Sequence, residues 1–96
     1  MRPSLALEVH REAIRRIVAA HRGLNPRVFG SVRRGEDRED SDLDLLVDAG
    51  EGMTLFDLAE ISAAVEGLIR AKVDVRTPED LSEKIRTRVV NEAAPL

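Results

Sequence analysis

The feature that most constrains this chain is Asp42-Leu43-Asp44 running into Leu45-Leu46-Val47-Asp48, with ten residues separating it from Gly30-Ser31. A strand sends successive side chains to opposite faces. Asp42 and Asp44 therefore share one face, and Leu43, Leu45 and Val47 share the other. The apolar face needs a covered sheet. The acidic face needs a partner for two carboxylates whose Cα atoms lie roughly 6.5–7 Å apart. Like charges held that close repel each other, and a divalent cation relieves the repulsion. The stretch reads as a strand that begins at a metal-binding site and runs into a core.

The residues before it supply a helix and a strand. Residues 4–22 have helical spacing, with Ser4 as N-cap and Gly23 as the stop. Leu7, His10, Ile14, Ile17, Val18 and His21 form one stripe. The two histidines lack a metal-ligand spacing, so they read as flanks of that stripe, and Arg11, Arg15, Arg16 and Arg22 as a solvated face. Asn25-Pro26 marks a turn, and Arg27-Val28-Phe29 is a short strand ending at Gly30-Ser31. Val32 to Arg34 makes one helical turn, so the N–H groups at its start face an anion and Ser31 adds a hydroxyl donor. Glu36 to Asp40 reads as a solvated charged loop.

After the acidic strand, Thr54–Ala71 is a helix opened by Thr54 and Asp57 in a capping-box arrangement. Leu55, Leu58, Ile61, Val65 and Leu68 form its apolar face, and Gly67 marks weak last turns or a close contact. Lys72–Arg76 is a third strand with Asp74 on its polar face. Thr77-Pro78-Glu79-Asp80 starts a last helix striped by Leu81, Ile85 and Val89. The alternation of helices and strands predicts one α/β domain over residues 1–96, a small mixed β-sheet with helices packed over it.

Composition removes several function classes. Phe29 and Phe56 are the only aromatic residues and the net charge is -3, so neither a base-stacking platform nor direct nucleic-acid binding is expected. Without cysteine there is no disulfide or thiolate metal site, which fits a reducing compartment. Charges come too early for a signal peptide and no apolar run reaches transmembrane length, so a cytoplasmic protein with no membrane contact is expected.

If the third strand lies beside the second, Asp74 comes level with Asp42 and Asp44. Three aspartates facing an N–H-rich turn suit nucleotidyl transfer by two Mg²⁺ ions roughly 3.5–4 Å apart. Asp42 and Asp44 hold metal, and Asp74 completes the site on the nucleophile side and orients or deprotonates the attacking hydroxyl. Arg33, Arg34 and Lys72 are placed to neutralise phosphate charge.

Gly30-Ser31, ten residues, Asp42-Leu43-Asp44 and a later strand Asp74 together resemble the signature of the polymerase-beta-type nucleotidyltransferase superfamily. The SDLDLLVD and VDVRTPEDL runs are similar to minimal nucleotidyltransferases, the antitoxin halves of HEPN/MNT toxin–antitoxin pairs. Arg33 stands where that pattern more often has a small residue. The resemblance implies the nucleotidyltransferase fold and transfer of AMP from ATP, with Gly30, Ser31 and Arg34 on the nucleotide and Asp42, Asp44 and Asp74 as catalytic and metal residues. It implies a tyrosine hydroxyl of a HEPN ribonuclease toxin as acceptor. Two alternatives stand beside it: a binding antitoxin that works by occlusion, and transfer to a small molecule such as an aminoglycoside. The latter needs an acceptor pocket, and too few residues remain after the third strand to build one, so a separate subunit would have to supply it.

Overall fold

A computed structural model describes all of residues 1–96. Its elements are α1 (Pro3–Ala20), β1 (Gly23–Phe29), α2 (Gly30–Arg34), β2 (Leu43–Ala49), α3 (Leu55–Ile69), β3 (Val73–Arg76), a 3-10 turn (Pro78–Asp80), α4 (Glu83–Glu92) and β4 (Ala94–Pro95). The sheet order is β3-β2-β1-β4; β1 runs antiparallel to β2 and β4, and β3 runs parallel to β2. The expected mixed sheet with covering helices is the observed architecture.

The alternation of β2 divides the packing. Leu43, Leu45 and Val47 are fully buried against Leu7, Ile14 and Val18 of α1 and Ile61, Val65 and Ile69 of α3. The opposite face carries Asp44 and then Leu46, which is buried with Leu81 and Val89. The last segment of the chain thus covers the acidic face beyond the aspartates and leaves Asp44 at the open end.

Several local expectations are corrected. The N-cap of α1 is Arg2, and Pro3 occupies the first turn, where its missing N–H costs nothing. The N–H of Ser4 donates to Asp37 Oδ2 at 2.9 Å, so a carboxylate from a distant loop does the capping. Asp37 is consequently buried, although its loop reads as solvated. Gly23 does not stop the helix; it is the buried first residue of β1, and Arg22 before it takes the left-handed turn at φ 64°. Asn25, at φ 52°, lies where the β1–β2 register shifts between Leu24 and Arg27, so the supposed turn is an irregularity inside one longer strand. Gly67 has open space around it and marks no close contact.

The last helix is broken in two. Thr77 and Asp80 form the capping box, but the helix they start is only the 3-10 turn; Leu81 is extended and Ser82 caps α4. Leu81 and Val89 are buried while Ile85 is left 36% exposed. The two-residue β4 was not legible: it has no alternation, and Pro95 is tolerable only on an edge strand.

Candidate active site

The β2–β3 register places Asp74 directly beside Asp44. Asp42 lies exposed just before β2, and Asp44 and Asp74 are partly buried. The three aspartates therefore meet at one end of the sheet. Burial pushes the Asp44 carboxyl up to about 6, the charges of Asp74 and Asp42 add to the rise, and Arg34 and Arg76 oppose it. Asp74 Oδ1 accepts a 3.0 Å hydrogen bond from Arg76 Nε, so that carboxylate has a cationic partner within its own strand.

Gly30 stands against this cluster for a steric reason. Its φ is 73°, and a Cβ added there would lie 2.2 Å from Asp44 Oδ2. Only glycine lets the α2 backbone and the Asp44 carboxylate share that space. Ser31 follows at the start of α2. Gly30, Ser31, Arg34, Asp40, Ser41, Asp42 and Asp44 line an open cleft of about 380 Å³ with no apolar wall. A second recess of about 240 Å³ adjoins it, with Phe29, Leu81, Ile85 and Val89 as apolar walls and Asp74 on its lining. Gly30 and Arg34 border both. Contrary to the expectation that a separate subunit would have to supply one, the residues after β3 wall a recess beside Asp74.

Glu92, at the end of α4, joins the site without any warning in the sequence. Its Oε2 accepts from the Gly30 N–H at 2.9 Å and its Oε1 from Arg34 Nη1 at 2.8 Å. Its main-chain carbonyl accepts from Arg33 Nε at 2.9 Å. The Arg34 hydrogen bond, followed by the Gly30 N–H, holds the Glu92 carboxyl below its usual range, and Glu36 and Glu92 raise Arg34 in turn. No periodicity links residue 92 to residue 30; the fold alone brings them together. Lys72 is exposed and lines neither recess.

The donor set suits a divalent cation. Hard carboxylates of which one is raised by burial and then by the charge of its neighbours gain from a cation between them. No group of three or more histidine, cysteine or acidic side chains is gathered closely enough to hold a metal ion by itself, so the expected three-aspartate metal set is not formed by the protein alone. Magnesium does not ask for one, since it is commonly held by one or two carboxylates together with substrate phosphates. No helix is long and apolar enough to cross a membrane.

Comparison with known proteins gives four concordant likenesses. The family described as nucleotidyltransferase domain matches residues 7–95. A candidate protein adenylyltransferase of Methanocaldococcus jannaschii is 39% identical over 66 residues, 69% of this chain and 71% of the relative. A solved candidate minimal nucleotidyltransferase superposes with a TM-score of 0.87 at 47% identity, covering 97% of this chain and 95% of the other. A toxin–antitoxin crystal structure with AMP-PNP shares the fold, with a TM-score of 0.75 at 19% identity over 88% of this chain and 69% of that one.

Proposed function

This chain belongs to the nucleotidyltransferase domain family and is a nucleotidyltransferase; we propose that it moves AMP from ATP onto a hydroxyl of a partner protein, a HEPN ribonuclease toxin that it thereby silences. The observation that carries this reading is the meeting of Asp42, Asp44 and Asp74 beside the Gly30-Ser31 turn, with a polar cleft on one side. Ser31, Arg34 and the α2 backbone are suited to the triphosphate, and Asp42 and Asp44 to one or two Mg²⁺ ions. The metal would supply charge neutralisation at the phosphates and the leaving group. Asp74 would orient the attacking hydroxyl and accept its proton.

The adenylyltransferase named among the relatives and the toxin–antitoxin complex with AMP-PNP support the choice of nucleotide and partner class. A tyrosine acceptor and a cytoplasmic setting belong to the same reading. The test is to mix this protein with a HEPN-domain protein encoded in the same genome, ATP and Mg²⁺, and to follow the partner by intact-mass spectrometry. Addition of AMP units on tyrosine is the expected result. A stable, inhibitory complex with no added mass would assign occlusion instead, and consumption of ATP only with an aminoglycoside would assign the small-molecule reaction.

A further inference from the structure

We propose that the groove between α1, α2 and β4 is a docking site for the protein partner, and that it takes an apolar side chain flanked by a carboxylate on that partner's surface. The inference rests on the protein-acceptor reading above and adds to it where the partner is held. α2 links the groove to the site. Residues three apart on a helix share a face, so Ser31 and Arg34 turn together toward the polar cleft, while Val32 and Arg33 turn to the groove. Arg33, expected to neutralise phosphate charge, lines neither the cleft nor the recess beside Asp74. It lines this groove of about 330 Å³ instead. A segment held at Arg33 is thus one residue away from Arg34, which borders both recesses of the site.

The lining combines apolar surface with one free charge. Leu7, Val28 and Val32 line the groove as buried side chains, and Ala94 lies beside Val28 in the β1–β4 register. Leu5, 49% exposed, also lines it, and Val9, one helical turn further along α1, is 67% exposed. Covering such aliphatic side chains is favourable in proportion to the area removed from water. Charge selects what covers them. Arg11 is already paired with Glu8, so those two cancel. Arg33 has no carboxylate partner; its Nε donates to the main-chain carbonyl of Glu92, which is neutral. One guanidinium in the groove is therefore uncompensated on a molecule whose net charge is -3. An acidic segment is repelled by the molecule as a whole and attracted here, which gives the docked segment its place and its register. An isologous pair of copies would instead set this surplus positive charge against itself.

The test measures docking apart from the reaction, with a HEPN-domain protein encoded in the same genome as the partner and no nucleotide present. In isothermal titration, Leu5→Glu and Arg33→Glu should each bind that protein at least about tenfold more weakly than wild type. An acid in the first turn of α1 suits the helix, so Leu5→Glu should fold. Leu55→Glu, at an exposed apolar position on α3, should bind as wild type does. Equal weakening by Leu55→Glu would trace the losses to overall charge and overturn the site. In the wild-type protein, NMR methyl resonances of Leu7, Val28 and Val32 should shift when the partner is added. Unshifted groove methyls would overturn the proposal without recourse to any variant. A dimer in sedimentation equilibrium that Leu5→Glu breaks would give the groove to a second copy and overturn it as well. If wild type and both groove variants bind equally well, the docking site falls while the partner reading stands. If both variants lose binding but wild type never transfers AMP, the docking site stands and the transfer reading fails. No binding by wild type would remove both.

Discussion

Asp44 carries the chemical tension of this site in a single side chain. Its carboxyl is raised from 3.8 to about 6 chiefly by burial, so the folded protein favours its neutral form. Below about pH 4 the group is protonated folded or unfolded and its stabilising effect is complete. That effect is lost as pH rises to about 6, where the folded protein must ionise a half-buried group. Asp44→Asn removes the ionisation and should stabilise the metal-free protein at pH 7 by about 1–3 kcal/mol, with little difference at pH 4. Urea unfolding at both pH values, with and without Mg²⁺, checks this; a less stable variant at pH 7 would refute it. Transfer should fall by about 10²-fold or more in the same variant.

Gly30 should behave in the opposite way. Gly30→Ala imposes a left-handed φ on alanine, at about 1–2 kcal/mol, and forces the Asp44 carboxylate to rotate away. A modest fall in melting temperature with a much larger loss of transfer is the expected pair of results. Asp42 and Asp44 were legible because strand alternation is a local property, whereas Gly30 was read only as room for a phosphate and its close approach to Asp44 was not foreseen. Asp37 and Glu92 were not, because their partners lie 33 and 62 residues away.

At the scale of elements, the loop between α2 and β2 is tied down at one buried point. Asp37 accepts from the first turn of α1, and that contact holds both a helix terminus and the chain leading into Asp42. Asp37→Ala should cost about 1 kcal/mol, the usual worth of a helix cap, measurable as a lower urea midpoint with unchanged slope. The break between the 3-10 turn and α4 was the chief element the sequence concealed. Thr77-Pro78-Glu79-Asp80 carries every local signal of a helix start, yet burying Leu81 beside Leu46 requires an extended residue there. Tertiary packing outweighed a strong local preference.

For the whole molecule, the two sheet faces divide the work. One face is a closed apolar core under α1 and α3. The other holds the aspartates at its open end, and α4 covers the rest. That cover is fastened to the Gly30 turn by Glu92, which occupies an N–H and an arginine suited to a phosphate oxygen. Glu92→Gln removes the competing charge and should tighten ATP binding several-fold, since charge-assisted hydrogen bonds are the strong ones. Isothermal titration with Mg-ATP would measure it, and weaker binding would assign Glu92 to holding Arg34 in place for the nucleotide.

α4 also bears Ile85 and Val89, so one short helix both walls the recess that holds Asp74 and is fastened through Glu92 to the Gly30 turn. A nucleotide that displaced Glu92 would unfasten the end of α4 from the Gly30 turn, and with it a wall of the neighbouring recess. Whatever factor ATP then contributes to acceptor affinity, the acceptor must return to ATP, because coupling between two equilibria is reciprocal. The acceptor itself would then act as a nucleotide-affinity effector, tightening or weakening ATP binding by the same factor by which ATP changes its own.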